Sequence, residues 1–371
     1  MHIHGGRVMC GVAAHIITLL RHLSKIDFDT HFVLLHNSHV AEIARNAGIE
    51  PFILGRDFPC DFRAIFRLAR FIRRNDIDIV HTHTLNGNLY GRLSAKLARR
   101  AAIVTTIHTY LSDTLSDIYG NPLKRRFVIW QNTVTDRLAS MLITPSEALK
   151  DKVVSDGVDP QKINVVSNGI DIPVISDFDQ GAESARKELG ISEDSILLGT
   201  AGRMVPVKNL ESLMEIAAKL IRDGLKLDLL LIGDGPLRVQ LEGMASSLGI
   251  TDHVIFTGWR NDILSILQGI DIYVHTSVSE SFGYSVVEAM SIAKPVIAFD
   301  VGSLSEVISN GETGLLLRPR DNIAFKEAIA QMAANPRQRR EFGLAARRRA
   351  ELCFSSGSMA EKIMTIYRSL V

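Results

Sequence analysis

Two kinds of hydrophobic pattern alternate along this chain. Short continuous apolar runs, such as Ile77–His83 and Ala102–His108, are typical of strands buried on both faces of a parallel sheet. Longer stretches with apolar residues three and four positions apart, such as Val12–Leu23, predict amphipathic helices. The two patterns follow each other in turn, as they do where crossover helices join parallel strands. The sequence therefore predicts an α/β protein.

The alternation occurs twice, in two halves separated by a stretch without periodicity. In the first half the predicted strands are His31–His36, Ile77–His83, Ala102–His108, Met141–Thr144 and Ile163–Val166. In the second half they are Ile196–Thr200, Asp228–Ile232, His253–Phe256, Ile270–His275, Pro295–Phe299 and Gly314–Leu317. The linker is predicted at Ile172–Gly181, which is acidic and contains turn formers. A final helix is predicted at Ser358–Leu370.

We predict two Rossmann-like, doubly wound domains facing a central cleft. A length of 371 residues fits two domains better than one. The predicted domains are residues 1–172 and residues 173–352, and a helical segment at residues 353–371 is expected to pack back on the first domain. In such sheets, ligands bind at the carboxyl ends of the strands.

Composition and charge exclude several classes of protein. The net charge is +1, from 42 Lys and Arg against 41 Asp and Glu, so no nucleic-acid partner is expected. The three cysteines form no C-x-x-C pair, and no apolar stretch approaches the roughly 20 residues that cross a bilayer. A cytoplasmic location is expected. Because only four residues precede Gly5, we expect either a few further N-terminal residues in the natural chain or a frayed first strand.

Two carboxylates, Glu280 and Glu288, surround a predicted strand-to-helix turn. The helix is predicted to begin around Phe282 to Tyr284, and a helix N-terminus attracts phosphate. The intervening Gly283 would let the backbone approach a ligand closely. Carboxylates repel phosphate but accept hydrogen bonds from hydroxyls. The arrangement suits a sugar nucleotide, whose sugar and ribose lie on either side of a diphosphate, although such a pair alone is more often a solvated helix face.

Two cations follow a predicted strand of the second half. Arg203 and Lys208 come directly after Ile196–Thr200, at the carboxyl end of a parallel strand. The planar fork of an arginine and the point charge of a lysine suit a diphosphate leaving group. Taken alone, the segment is better explained as a surface loop with solvated cations; beside Glu280 and Glu288 the diphosphate site is favoured.

The order of these segments resembles the retaining GT-B glycosyltransferases of family four, also called glycosyl transferases group one. The resemblance covers essentially the whole chain. It is carried by Gly202-Arg203 with Lys208-Asn209, Gly233-Asp-Gly-Pro, Gly258-Trp-Arg, Glu280 with Glu288, Asn168-Gly-Ile-Asp171 and Pro145-Ser146-Glu147.

The resemblance implies a role for each matching residue. The first domain would bind the acceptor and the second the nucleotide-sugar donor. Arg203 and Lys208 would hold the diphosphate, Glu280 the transferred sugar and Glu288 the ribose. The remaining donor-binding residues would be Gly202, Gly233, Phe282, Gly283, Tyr284 and Ser285. His108 matches the family's histidine near the reacting sugar, so the catalytic set would be Glu280, His108, Arg203 and Lys208.

The acceptor side is expected at the glycine-rich stretch from Gly5 to His15, with Gly11, His15 and His83 as its residues. The chain departs from the family pattern here, because Cys10-Gly11 and Ala13 stand where two glycines and an acidic residue are usual. A second departure places Ser303 where another glycine is usual. The sequence His81-x-His83 lacks further identifiable metal ligands, so no metal and no cofactor are expected. The nucleotide sugar is a co-substrate.

One predicted helix carries arginines at helical spacing. Arg63, Arg67, Arg70 and Arg74 recur opposite Phe62, Ile65, Phe66 and Ala69. A solvated face is the simpler interpretation. The alternative is a peripheral contact with anionic lipid, where a lipid-linked acceptor would lie.

These observations predict an enzyme that transfers a sugar, with retention, from a nucleotide-diphosphate sugar to a saccharide or lipid-linked acceptor. A UDP-sugar is favoured and a GDP-sugar is the alternative; cell-envelope polysaccharide or glycolipid synthesis is the expected setting. The competing hypotheses are a sugar-nucleotide epimerase or a phosphorylase on the same fold, and a non-catalytic sugar-nucleotide binding protein. The sequence indicates no oligomeric state.

Overall fold

The computed structural model describes residues 1–6, 11–23, 28–55, 61–110, 121–175 and 178–371. The chain divides into two compact units. The first unit contains Met1–Asp171 together with Ser355–Val371, and the second contains Ile172–Phe354.

The first unit is built on a seven-stranded parallel sheet in the order β3-β2-β1-β4-β5-β6-β7. Its strands are β1 (His2–His4), β2 (Phe32–Leu34), β3 (Phe52–Ile53), β4 (Ile79–His83), β5 (Ala102–Thr106), β6 (Met141–Thr144) and β7 (Ile163–Val165). Its helices are α1 (Gly11–Leu23), α2 (His39–Asn46), α3 (Phe62–Arg74), α4 (Leu85–Ala98), α5 (Pro122–Asp136), α6 (Glu147–Ser155) and α15 (Ser356–Arg368).

Helices cover both faces of this sheet. On one face, α4 packs between α3 and α5. From β1 to β2 the chain moves towards one edge of the sheet, whereas from β4 to β5 it moves towards the other edge. Because crossovers between parallel strands are right-handed, α1 lies on the face opposite to α4. The last helix of the chain, α15, packs against α1 and buries Ile363 and Tyr367 in a cluster with Leu19 and Val104. Each such side chain contributes roughly 1.5–3 kcal/mol through burial, so α15 completes the core of the first unit.

The second unit is built on a six-stranded parallel sheet in the order β10-β9-β8-β11-β12-β13. Its strands are β8 (Ile196–Ala201), β9 (Leu227–Ile232), β10 (Val254–Gly258), β11 (Ile272–His275), β12 (Val296–Phe299) and β13 (Gly314–Leu317). Its helices are α7 (Phe178–Leu189), α8 (Leu210–Arg222), α9 (Arg238–Leu248), α10 (Ile263–Leu267), α11 (Tyr284–Ser291), α12 (Leu304–Val307), α13 (Asn322–Ala333) and α14 (Pro336–Cys353).

Two parallel-sheet α/β units confirm the predicted fold class, but the predicted linker is wrong at its end, and one of the two alternatives for the N-terminus, a frayed first strand, is contradicted. The predicted linker Ile172–Gly181 extends too far, because α7 already begins at Phe178. Gly181 lies inside this helix and therefore does not mark a turn. The first strand is not frayed: β1 pairs with β2 on one side and β4 on the other. Among the described helices, none combines the length and the apolar character needed to cross a bilayer.

Candidate functional site

The predicted donor residues lie where the strand order of the second unit reverses. The chain crosses from β8 towards one edge of the sheet and returns to β11 on the other side of β8. The loops that leave the carboxyl ends of β8 and β11 therefore lie side by side, and this is where doubly wound sheets bind ligands. The first loop carries Gly202, Arg203 and Lys208, and the second carries Glu280.

Lys208 and Glu280 form an ion pair across these two loops. The Lys208 Nζ atom donates to Glu280 Oε2 at 2.7 Å, and His275 Nε2 lies 3.1 Å from the same oxygen. Backbone contacts hold the loops together: the Val278 amide donates to the Val207 carbonyl at 2.9 Å. The Thr276 hydroxyl lies 3.1 Å from the Lys208 carbonyl. The ion pair is thus positioned by bonds between segments about 70 residues apart in sequence.

The electrostatic environment keeps Glu280 ionised. Burial opposes its ionisation, but the nearby Lys208 ammonium and the hydrogen bond with His275 together outweigh burial, so the pKa of Glu280 lies well below its usual range. Burial also lowers the pKa of His275, which is therefore neutral at pH 7. A neutral imidazole and an ammonium group hold one carboxylate oxygen, Oε2.

Arg203 and Lys208 do not share a partner in this structure. Lys208 is bound to Glu280, whereas the side chain of Arg203 is exposed and makes no hydrogen bond or ion pair with any residue that the structure describes. The backbone around Arg203 is nevertheless fixed, because the amide of the buried Met204 donates to Asp234 O at 2.9 Å.

Gly202 and Gly233 bring the loops after β8 and β9 into close contact. Gly233 has a positive φ of 125°, and a Cβ atom there would lie 2.1 Å from the Gly202 carbonyl oxygen. Any side chain at position 233 would push the Gly202 loop away. Gly233 therefore supports the shape of the candidate site through backbone packing.

The helix α11 begins directly after Gly283, as the sequence predicts. Gly283 is the N-cap residue and has a φ of 87°, a conformation that favours glycine. Phe282 is buried, while Tyr284 and Ser285 in the first turn are half-buried. The backbone amides of the first turn of a helix carry a partial positive charge, and here that turn begins at Tyr284, directly after the loop that carries Glu280.

Glu288 lies in the second turn of α11 and has a different environment from Glu280. It is half-buried and has no hydrogen bond or ion pair to its carboxylate within the described part of the chain. Burial raises its pKa to about 7. Below it, the buried hydroxyl of Tyr273 contacts the Ala201 backbone amide at 3.2 Å, and burial raises the pKa of Tyr273 to about 12. The sequence analysis did not identify Tyr273 and His275. Their spacing of two residues in β11 places both side chains on the same face of the strand, and this could have indicated that they lie together.

The turn before α12 also supports Glu280. The φ of Gly302 is 55°, and a Cβ atom there would lie 1.9 Å from the Glu280 carbonyl oxygen. The next amide, that of Ser303, donates to the same carbonyl at 3.1 Å. Because this bond uses the backbone, the serine that replaces the family's usual glycine preserves it.

The predicted acceptor residues gather where the strand order of the first unit reverses, at the ends of β1, β4 and β5. Gly11 is the first residue of α1, and His15 lies one turn later, buried against the ring of His108 with 4.9 Å between centroids. His83 ends β4, and its Nδ1 atom lies 3.0 Å from His108 Nε2. Residues 7–10, which include Cys10 of the expected glycine-rich stretch, lie outside the described residues.

The structure also supplies neighbours for His81 and His83 that the sequence could not identify. His2, His81 and His83 each present a ring nitrogen, and these atoms lie within 4.8 Å of one another. A second such group contains His15, His83 and His108. Burial lowers the pKa of these five histidines, so the cluster consists of neutral imidazoles.

The arginine helix α3 differs in one respect from its predicted geometry. Phe62 and Phe66 are 69% and 64% exposed and lie beside the exposed Arg63, Arg70 and Arg74, not opposite them. The buried side of the helix is formed by other residues, Ala64, Leu68, Ala69 and Ile72. Arg67 donates to Gly55 O at 2.7 Å, so one of the four predicted arginines has a structural partner.

The helix α5 has an inverted polarity that the sequence did not reveal. Its buried residues are the polar Asn132 and Thr135, and the Thr135 hydroxyl accepts from the buried Arg92 at 3.0 Å. Its large apolar side chains point into solvent instead: Leu123, Phe127, Trp130 and Val134 are 75%, 59%, 60% and 42% exposed. The three cations Lys124, Arg125 and Arg126 lie in its first turns.

Two family models match the chain in succession. The model described as Glycosyltransferase Family 4 matches residues 9–173, and the model described as Glycosyl transferases group 1 matches residues 181–349. Together they cover most of both units but not the C-terminal segment Ser355–Val371 of the first.

Curated proteins and solved structures give consistent matches. The putative glycosyltransferase EpsD of Bacillus subtilis (strain 168) is 30% identical over 312 residues, which are 82% of this chain and 80% of EpsD. UDP-Gal:alpha-D-GlcNAc-diphosphoundecaprenol alpha-1,3-galactosyltransferase of Escherichia coli is 26% identical over 73% of this chain and 70% of its own length. Anabaena HepE in complex with UDP is 20% identical, with a TM-score of 0.85 and 99% of both chains covered. At this identity, the structural likeness shows the GT-B fold alone.

Proposed function

Because this chain belongs to the family 4 glycosyltransferases, we propose that it transfers a sugar, with retention of anomeric configuration, from a nucleotide-diphosphate sugar to a saccharide or lipid-linked acceptor. The observation that carries the proposal is the Lys208–Glu280 pair beside the N-terminus of α11, with Glu288 one turn further on. This combination provides positive potential for a diphosphate and carboxylates for hydroxyls on either side of it.

In this proposal each charged residue has a separate task. Glu280, kept ionised by Lys208 and His275, accepts hydrogen bonds from hydroxyls of the transferred sugar. Arg203 and Lys208 contact the diphosphate and stabilise its charge as the bond to the sugar breaks. Glu288 binds the hydroxyls of the ribose. Gly202, Gly233 and the backbone from Phe282 to Ser285 shape the phosphate seat.

The chemical step that we propose is a substitution at the anomeric carbon. The bond from that carbon to the diphosphate oxygen breaks, and its electron pair leaves with the diphosphate. An acceptor hydroxyl forms the new bond and passes its proton to the departing diphosphate oxygen. Positioning and leaving-group stabilisation supply the rate enhancement.

The acceptor and reacting-sugar side is proposed at His108, with His15, His83 and Gly11 around it. His83 and His108 lie at the carboxyl ends of β4 and β5, the ligand-binding edge of a doubly wound sheet, and Gly11 and His15 lie in the first turns of α1. A UDP-sugar donor is favoured because UDP occurs in the names of the galactosyltransferase and the HepE complex. A lipid-linked or saccharide acceptor is favoured because the galactosyltransferase is named for a diphosphoundecaprenol-linked sugar. A GDP-sugar is the alternative donor. No cofactor is part of the proposal.

We further propose that α3 and α5 contact an anionic membrane that holds the acceptor. Phe62 and Phe66 on α3, and Phe127 and Trp130 on α5, are exposed on the same side of the sheet. Arginines and lysines lie beside them, so apolar side chains can enter the interface while cations bind lipid head groups.

The transfer proposal is tested by product analysis. UDP-, GDP- and ADP-sugars are first ranked by thermal shift, because a ligand that binds the folded state raises the melting temperature. The stabilising donor is then incubated with acceptor mixtures, and the anomeric configuration of the product is read by NMR. Interconversion of the donor without an acceptor would indicate an epimerase. If the donor binds with equal affinity to wild type and Glu280→Gln and neither protein turns it over, the chain is a non-catalytic binding protein.

The membrane proposal is tested by flotation with vesicles of anionic or zwitterionic lipid. Trp130→Ser should reduce flotation with anionic vesicles, while Trp259→Ser is the matched control because Trp259 is also 60% exposed but lies in the second unit. Equal flotation of the two variants, or binding independent of lipid charge, would contradict the proposed surface.

A further inference from the structure

A continuous chain of hydrogen bonds runs through the core of the first unit and reaches His108. It contains residues from the strands β1, β4 and β5, from the loop that follows β5, and from the final helix α15. In order, its members are Thr106, His81, Tyr367, His2, His83 and His108.

At the His108 end, three imidazoles are bonded in series. His108 Nε2 lies 3.0 Å from His83 Nδ1, and His83 Nε2 lies 3.2 Å from His2 Nδ1. His83 is fully buried and uses both ring nitrogens in these two contacts. Its orientation is therefore coupled to the residues on either side.

At the other end, the hydroxyl of Tyr367 joins His2 to His81. Tyr367 Oη lies 3.2 Å from His2 Nε2 and is also hydrogen-bonded to His81 Nδ1. His81 Nε2 then lies 2.7 Å from Thr106 Oγ1. Tyr367 is 3% exposed and belongs to α15, so the last helix of the chain supplies the central link.

The interior members of this chain are neutral. Burial, together with neighbouring histidines, lowers the pKa of His2, His81 and His83 well below the ordinary value. Burial raises the pKa of Tyr367 well above its ordinary value. A neutral imidazole has one N–H donor and one acceptor nitrogen, and a phenol has one O–H donor.

With those donors and acceptors, the complete chain has only two arrangements. If the Tyr367 hydroxyl donates to His2 Nε2, then His2 Nδ1–H donates to His83 Nε2, and His83 Nδ1–H donates to His108 Nε2. His108 then carries its own proton on Nδ1. If the hydroxyl donates to His81, every bond reverses, and His108 carries its proton on Nε2. Thr106 can donate or accept, so it is compatible with both arrangements.

A metal ion is the competing occupant of this cluster. The ring nitrogens are close enough to one another for one. However, His2, His81 and His83 each use both ring nitrogens in hydrogen bonds, so an ion would have to break at least two links. The observed pairing favours the hydrogen-bonded chain.

We propose that Tyr367, His2 and His83 are positioning residues that hold His108 in one tautomer, and thereby determine which hydrogen bond its ring offers to a ligand. The proposal rests on the proposed function insofar as His108 is placed beside the reacting sugar. The tautomer of His108 itself is a property of the protein alone.

The test uses NMR of the full chain labelled with 15N-histidine, in which the nitrogen shifts distinguish the two tautomers and the imidazolium. Tyr367→Phe removes the central hydroxyl and keeps the ring. Tyr90→Phe is the matched control, because Tyr90 is 2% exposed in the same unit and its hydroxyl bonds to the Asp61 amide at 3.0 Å. If Tyr367→Phe does not fold, His2→Phe removes the ring nitrogen that bonds to His83 Nε2.

The expected result is one tautomer for His108 in wild type and in Tyr90→Phe, and a changed tautomer or a mixture in Tyr367→Phe or His2→Phe. An unchanged His108 signature in the folded variant would overturn the proposal. So would wild-type histidine shifts that change on chelation, which would indicate a bound metal ion.

A transfer assay then separates this proposal from the proposed function. Tyr367→Phe should lower kcat by about tenfold with little change in KM for the donor, the size typical when an outer partner of a functional histidine is lost. A changed tautomer together with full activity of His108→Ala would show that the chain exists but that His108 has no part in transfer. An unchanged kcat in Tyr367→Phe, with His108→Ala inactive, would contradict the positioning role.

Discussion

The raised pKa of Glu288 predicts that nucleotide binding depends on pH. Ribose hydroxyls donate to a carboxylate better than they bind a carboxylic acid, so the proposed complex contains ionised Glu288. In the free protein, burial raises the pKa of Glu288 to about 7. Below that pH, binding must remove a proton from Glu288, and the dissociation constant rises accordingly.

The magnitude follows from that pKa. With a value of about 7, roughly one molecule in eleven has an ionised Glu288 at pH 6, against about ten in eleven at pH 8. The Kd should therefore be about tenfold higher at pH 6, a difference of about 1.4 kcal/mol. The terminal phosphate of UDP also titrates near this range, with a pKa of about 6, and is the competing source of pH dependence.

Isothermal titration calorimetry with UDP, in buffers of different ionisation enthalpy, measures both the Kd and the protons released. Glu288→Gln removes the titrating group and retains the phosphate contribution, so its Kd should change less between pH 6 and pH 8. Glu280→Gln is a second control. Because Lys208 and His275 keep Glu280 ionised throughout this range, that variant should retain the pH dependence of wild type. If wild type and Glu288→Gln show the same pH dependence, Glu288 does not bind the ligand as a carboxylate.

Three further outcomes are expected. Glu288→Gln should be more stable than wild type in urea unfolding at pH 8 but not at pH 4.5. The pKa of Glu288 is about 7 in the folded protein and 4.5 ordinarily, so the stability of wild type is fully present below pH 4.5 and falls by up to about 3 kcal/mol as the pH rises through 7. Equal stability of the two proteins at pH 8 would contradict the raised pKa. Gly302→Ala should destabilise the protein by more than about 2 kcal/mol, because the new Cβ atom would meet the Glu280 carbonyl, whereas Gly311→Ala, also at positive φ but with open space around it, should cost only about 1 kcal/mol in urea unfolding; similar losses would argue against the contact. Lys208→Met should cost about 3 kcal/mol by leaving Glu280 buried without its cation, and the Lys208→Met, Glu280→Met double variant should recover part of this loss; strictly additive losses would show that the pair is not coupled.

The fold and the location of the candidate site are readily predicted from this sequence, because both depend on local periodicity. Buried apolar runs alternate with amphipathic helices, and Arg203 and Glu280 follow strands whose carboxyl ends share one edge of a sheet. The pairing of Lys208 with Glu280 was not predicted. It depends on the neighbouring positions of β8 and β11, which are more than 70 residues apart, and on the αL conformation of Asn209 that turns the chain after Lys208.

Features that depend on several distant segments were also missed. The histidine chain requires β1, β4, β5 and α15 to meet, and Tyr367 comes from the far end of the sequence. The exposed face of α5 was missed for another reason. Apolar residues at positions 123, 127, 130 and 134 ordinarily predict a buried face, but here the core side of the helix carries Thr135 and Asp136, which contact the buried Arg92 of α4. Only the partner of a helix decides which of its faces is buried.

The charges of the candidate donor site lead to a final requirement. Lys208 and Glu280 neutralise each other, His275 is neutral, and Glu288 is half protonated near pH 7. The positive charge that no carboxylate of this site neutralises is therefore that of Arg203 and of the N-terminus of α11, and together they balance only part of the charge of a diphosphate dianion. In the proposed complex Lys208, which is 22% exposed, would share its ammonium between Glu280 and the diphosphate. As negative charge grows on the leaving group, this shared cation is drawn towards it, so the ion pair that organises the site before binding can also stabilise the departure of the nucleotide.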